Sequence, residues 1–247
     1  MRKTYKMGRE SFLDKHTVLP YMEPMPRRPR LAAGGFTYHV LNRRVGRLPL
    51  FNEPGDYAAF ERILQEAVEQ TRLRVLAYCL MPTHWHLLLW PRRNGELSEV
   101  LRWITVTHTQ RWHAQHQTAG TGPIYQGRFR AFPVQMDEHI VTVARYIERN
   151  PLRANLVRRA EEWRWSSLWR WAQKDAQAKA WLSDWPVTRP RNWIHQVNQP
   201  ESAADLEAVR TSVARGRPFG TDRWVRRIAK RFGLESTLRP RGRPKGS

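Results

Sequence analysis

Cysteine is almost absent, with Cys79 the single example in 247 residues. A lone thiol inside the apolar run 73–81 has no disulfide partner in the chain. That excludes a disulfide-stapled scaffold and points to a reducing, cytoplasmic setting. Long hydrophobic runs are missing as well. None approaches the roughly 20 residues that cross a bilayer. The basic stretch 1–16 has no apolar segment behind it, so neither a membrane span nor a secretory leader is expected. No phosphate-binding glycine loop or dinucleotide fingerprint is found, which argues against a nucleotide cofactor. No internal repeat is found either.

Acid is scarce. Against 43 lysines and arginines stand 22 aspartates and glutamates, a formal net charge of +21. A surface this positive attracts polyanions, and nucleic acid is the usual one. Of the basic residues 36 are arginine, whose planar fork matches phosphate oxygens and base edges. A GC-rich coding sequence would favour arginine over lysine without any function, but it does not explain the excess over acid.

What is present divides the chain. Residues 1–33 are polar and proline-rich, with Arg27, Arg28 and Arg30 clustered, and read as a flexible basic arm. Strands are expected at 36–45, 73–80, 84–90 and 124–134. Helices are expected at 56–71, 96–116 and 137–149, the last stopped by Asn150-Pro151. The order strand, helix, strand, strand, helix, strand is that of a ferredoxin-like α+β fold, an antiparallel sheet with helices on one face. A domain of 34–160 is then followed by a tryptophan- and arginine-rich helical extension over 161–238. Within it 223–232 has helical spacing, with Gly233 as its cap. The basic tail 239–247 closes the sequence.

Two features carry chemistry. His84 and His86 sit two apart on an expected strand, so both project from one side, about 7 Å apart, and can converge on one ion. Trp85, Leu87 and Leu89 then face the core. Tyr146 and Asn150 are four apart on a helix and share a face. The Asn150 amide is suited to be a third ligand, with Tyr146 beside whatever the ion holds. Each feature alone also fits a plain structural role: polar residues on an open sheet face, a tyrosine at a core edge, an asparagine ending a helix.

Together with the neighbouring blocks they are recognisable. Phe36-Thr-Tyr-His-Val-Leu-Asn-Arg-Arg, Cys79-Leu-Met-Pro-Thr-His-Trp-His, Tyr125-Gln-Gly-Arg-Phe, Arg145-Tyr-Ile-Glu-Arg-Asn-Pro-Leu-Arg and Trp163-Arg-Trp-Ser-Ser carry the likeness. In combination they resemble the single-tyrosine HUH transposases of the IS200 kind, specifically the REP-associated tyrosine transposases. Gly216-Arg-Pro-Phe-Gly resembles the C-terminal region of that family. The resemblance implies Mg2+ or Mn2+ at His84 and His86, with Asn150 in the place of the third ligand and Tyr146 as nucleophile. It implies cleavage and joining of single-stranded DNA through a 5′-phosphotyrosine link, on imperfect palindromes folded as REP-like hairpins. A basic Met-Pro-Arg-Arg-Pro-Arg segment opens such proteins, and here it begins at Met25, leaving 1–24 without an assigned role.

The candidates for DNA contact are Arg43, Arg44, Arg128, Arg130 and Arg153, with Trp103 and Trp112 as possible base-stacking platforms. The tail residues Arg239, Arg241 and Arg243 resemble an AT-hook, for which a plain solvated basic tail is the rival account. A monomer or a homodimer is expected. The alternative function is a domesticated relative that binds DNA or RNA without cutting.

Overall fold

In the computed structural model, which describes residues 33–173 and 176–239, four strands form one sheet: β1 (Thr37–Arg43), β2 (Arg74–Met81), β3 (His84–Trp90) and β4 (Arg130–Val134). Their order is β2-β3-β1-β4, with every neighbouring pair antiparallel. The expected α+β fold and antiparallel sheet are thus what the chain forms. The arm over 1–32 and tail residues 240–247, Arg241 and Arg243 included, lie outside the described residues.

The first face of the sheet carries α1 (Pro54–Thr71) and α2 (Glu96–His116). Glu53 opens α1 as its N-cap, in a capping box with Asp56, and Pro54 at the first position is pre-set for helical φ. Phe60, Ile63, Leu64, Leu97, Leu101 and Ile104 pack here against Val40, Trp85, Leu87 and Leu89. Trp112 belongs to this core, with its Nε1 donating to the Leu50 carbonyl at 3.0 Å, and Trp103 packs at the core's margin. Buried against the helices, Trp112 is no platform for a base.

The fourth strand is shorter than its sequence suggests. Ile124 and Tyr125 are adjacent and both buried in the first core, which the period-two alternation of a strand does not allow. Residues 124–129 therefore cross to β1 as a loop, touching it through the Arg44–Tyr125 bridge, and pairing begins only at Arg130.

Helices are not confined to one face. The second carries α3 (Glu138–Glu148), α4 (Asn150–Arg153), α5 (Ser167–Ala172), α6 (Trp193–Asn198) and α7 (Ala203–Arg215). The segment after residue 160 also closes both sheet edges. Along β2, Leu80 N donates to the Trp165 carbonyl and Tyr78 N to Ser167 Oγ, both at 2.9 Å. Trp163 Nε1 and Trp185 Nε1 donate to the carbonyls of Leu80 and Leu76 at 2.8 Å. Beside β4, Phe219 N donates to the Pro133 carbonyl and Gln135 N to that of Phe219, each at 2.9 Å. The tryptophans of this segment thus supply indole donors to an edge that would otherwise expose unpaired backbone. The last helix, α8 (Asp222–Phe232), ends at Gly233 in the left-handed conformation with φ 64°.

Candidate active site

The strand register fixes the histidines. Arg43 pairs with His84, Leu41 with His86 and His39 with Leu88, so His39, His84 and His86 share the second face while Trp85 enters the first core. The His84 and His86 ring centroids are 5.0 Å apart. Both Nδ1 atoms are engaged: that of His84 with Thr83 Oγ1 at 3.0 Å, that of His86 with His39 Nε2 at 2.9 Å. No hydrogen bond engages either Nε2 among the described residues. Burial holds the rings neutral. It lowers His84 to about 4, aided by Arg43 and Arg153, and lowers His39 to about 3. Burial likewise takes His86 well below the usual imidazole range. With their protons on Nδ1, two neutral imidazoles would offer Nε2 lone pairs, a donor set that fits a divalent ion.

Helix α3 brings the tyrosine. Asp137 caps it by accepting from His139 N at 3.1 Å, and Ile140, Val143, Ala144 and Ile147 bury its seam. Asp137, Glu138 and His139 lie close enough to suggest a metal cluster. However, Asp137 Oδ1 is already shared by the His139 backbone and Nδ1, the latter at 2.6 Å, so the group serves as the helix cap. Tyr146 is 8% exposed, and its ring centroid stands 5.9 Å from that of His86 and 6.0 Å from that of His39. The Arg153 guanidinium covers the ring at 4.3 Å. Burial raises the phenol's pKa, and the charges of Arg153 and Arg210 work against that rise. Arg149, between α3 and α4, keeps right-handed helical angles (φ −81°, ψ −8°). The chain therefore continues almost unbroken to Asn150, one turn beyond Tyr146. Asn150 is 9% exposed, and its amide has no hydrogen-bond partner among the described residues, so it too suits a ligand role.

The tyrosine helix is braced from behind. Glu148 is fully buried and accepts from Ser167 Oγ at 2.5 Å and Trp193 Nε1 at 2.7 Å. Arg145 donates to the carbonyls of Gln199 and Pro200, both at 2.9 Å, and Arg149 to that of Val197 at 2.7 Å. Arg153 pairs with Glu201 at 2.6 Å. Sequence reasoning missed His39, Glu148 and Glu201. Only the β1–β3 register reveals His39. The charge of Glu148 amid an apolar helical seam was a signal for that residue, and Glu201 offered none.

Beside the histidines opens a groove of about 300 Å³ lined by Asn42, Arg43, Gln126, Gly127, Arg128 and Arg130. Three of the five expected arginines therefore meet, with the Arg43 Nε donating to Gln126 Oε1. Arg44 does not join them. It points to the opposite face, over the Trp112 ring at 4.1 Å, and donates to the Pro49 carbonyl. Arg153 lies at Tyr146, as described, and Arg239 stands exposed where the described chain ends. Tyr125, the other tyrosine near this region, is turned away. Its hydroxyl sits in the first core between Trp85 Nε1 (3.1 Å) and His108 Nδ1 (2.6 Å), and burial pushes its phenol up.

Residues 33–150 match the family model of IS200-like transposases. No curated protein matches the chain. Among solved structures, one described as a REP-associated tyrosine transposase bound to a REP hairpin is 22% identical, with a TM-score of 0.49. It covers 59% of this chain and 84% of its own. A second, a candidate transposase from Deinococcus radiodurans R1, is 20% identical, with a TM-score of 0.36. It covers 49% of this chain and 95% of its own. Likeness at this level decides nothing about chemistry.

Proposed function

Residues 33–150 match the IS200-like transposases, and on that premise we propose that this protein cuts and rejoins single-stranded DNA at the foot of hairpins, with Tyr146 as nucleophile. The observation that carries the reading is the convergence of Tyr146, His84 and His86 on one buried face, with Arg153 over the phenol. His84, His86 and Asn150 would hold a divalent ion, Mg2+ or Mn2+. When bound, it supplies Lewis-acid polarisation of the scissile phosphate. Tyr146 Oη attacks phosphorus, the P–O3′ bond breaks, and the leaving oxygen takes up a proton as a 3′-OH. The 3′ fragment stays on the enzyme, its 5′ phosphate held as phosphotyrosine. Arg153 favours the phenolate developing beside it, against the burial that opposes ionisation. Attack by a second 3′-OH reverses the exchange, and no nucleotide cofactor enters the balance.

The test incubates the protein with Mn2+ and hairpin oligonucleotides carrying label on one or the other side of the foot. A covalent protein–DNA band on a denaturing gel is expected only with label on the 3′ fragment, which bears the 5′ phosphate. Label retained from the opposite side would make the link a 3′-phosphotyrosine and contradict the proposed polarity, whereas binding with no adduct would favour a relative that only binds.

His39 is the positioning residue of this site. For His86 Nε2 to offer a lone pair, His86 must carry its proton on Nδ1 and donate to His39 Nε2. His39→Leu removes that acceptor and should weaken Mn2+ binding by about 10- to 100-fold. Titration calorimetry reads the loss, and His39→Gln, which keeps an acceptor, should recover part of it. Equal Mn2+ affinity in His39→Leu would contradict the role.

The groove is assigned to the strand itself. Replacing Arg128 and Arg130 together by Ala should weaken binding of the unpaired foot and reduce the salt slope by about 1.4, at about 0.7 per single-strand phosphate contact. A slope unchanged in fluorescence anisotropy would remove these two residues from the DNA path.

A further inference from the structure

Helix α8 lies outside both the family match and the site just described. Its side chains sort sharply: Arg223, Arg226, Arg227, Lys230 and Arg231 are exposed, whereas Val225, Ile228 and Ala229 are buried. At 3.6 residues per turn the five cations occupy an arc of about 140°, opposite the buried seam. Spacings of three and four set Arg223 beside Arg226 and Arg227, and both of these beside Lys230. Like charges so placed destabilise a helix. The helix's acidic residue, Asp222, stands 3.6 Å from Arg217 instead. No ion pair reaches Arg223, Arg226, Arg227 or Lys230 among the described residues. Packing of the seam therefore holds a self-repelling stripe in place, ready for a polyanion.

We propose that α8 is a rail for the phosphate backbone of duplex DNA, namely the stem of the hairpin whose foot occupies the candidate active site. The proposal deepens the functional reading above and rests on it. Three observations select a duplex stem. The rail is rigid and about 16 Å long, and a duplex offers it one negative charge per about 1.7 Å of axis. Its exposed arc carries no aromatic residue, Trp224 being half-buried, whereas single-strand sites add stacking platforms. Its apolar seam is occupied by protein, which leaves nothing to insert into a lipid surface.

Position agrees. Phe232 meets Phe36 at 5.3 Å beside the start of β1, and Thr221 N donates to Gln135 Oε1 at 2.9 Å beyond the end of β4. His84 pairs with Arg43 at the far end of β1. Six residue steps along that strand span about 20 Å, the length of about six base pairs.

The experiment uses the full chain with Arg223, Arg226, Arg227 and Lys230 all replaced by Gln, which keeps helix propensity on an exposed face. Fluorescence anisotropy compares hairpins with stems of three to twelve base pairs on one common foot, together with the foot alone. For a stem of ten pairs the affinity should fall at least tenfold at moderate salt. The salt slope should shrink by about 2 to 3, at about 0.9 per duplex phosphate. The foot alone, and a three-pair stem, should stay within twofold of wild type. Equal losses on foot and long stem would assign α8 to the single strand and overturn the proposal, as would unchanged binding throughout. A stem-dependent loss in a protein whose wild type forms no covalent adduct would leave the rail standing and sink the catalytic reading instead.

Discussion

Tyr146→Phe should abolish strand cleavage and the covalent adduct together, a fall of at least about a thousandfold, while leaving hairpin affinity within twofold. The substitution removes one oxygen and keeps the ring that packs beside His39 and His86 and under Arg153, so the fold should not register the change. Melting temperature and anisotropy check the fold and the binding, and a denaturing gel checks the chemistry. Tyr125→Phe is the control. Its hydroxyl is consumed by Trp85 and His108 on the opposite side of the sheet, so cleavage should persist at some cost in stability. A Tyr146→Phe protein that still cleaves would end the assignment.

His86→Ala should reduce cleavage by at least about a thousandfold, equivalent to about 4 kcal/mol of transition-state stabilisation. The imidazole is 3% exposed and fixed by His39, so its loss removes a ligand and leaves a polar hole. Some stability will go with it. EDTA on the wild-type protein separates the two effects, since chelation leaves the protein's packing alone. Both treatments should stop cleavage and spare hairpin binding within a few-fold. Cleavage that survives EDTA would take the metal out of the mechanism even if His86→Ala were inactive.

The four-strand order and the two helices of the first face were legible because hydrophobic periodicity is local. The His84-Trp85-His86 alternation and the Tyr146–Asn150 spacing follow from the 2.0 and 3.6 repeats alone. The rest depended on tertiary placement. His39 joins the histidines only through the β1–β3 register. Arg43 and Arg44 look equivalent as a pair, yet alternation sends one to the groove and the other over Trp112. The loop 124–129 read as strand because Ile124, Tyr125 and Phe129 are apolar and β-prone, whereas Ile124 and Tyr125 are both drawn into the helix-covered core. The tryptophans after residue 160 suggested an appended segment. Their indoles instead seal the β2 edge, and the stretch from 193 to 201 clamps the tyrosine helix. A composition cannot announce such partners, because they lie 45 to more than 100 residues away.

The central claim is that one tyrosine takes the DNA. Its most direct measurement is mass spectrometry of the covalent product after digestion with trypsin and nuclease. Cleavage after Arg145 and Arg149 releases Tyr146 in the tetrapeptide Tyr-Ile-Glu-Arg, whereas Tyr125 falls in the peptide 112–128. The account predicts a nucleotide linked through its 5′ phosphate to the tetrapeptide and none on 112–128. A nucleotide on any other peptide, or none on either, would contradict it.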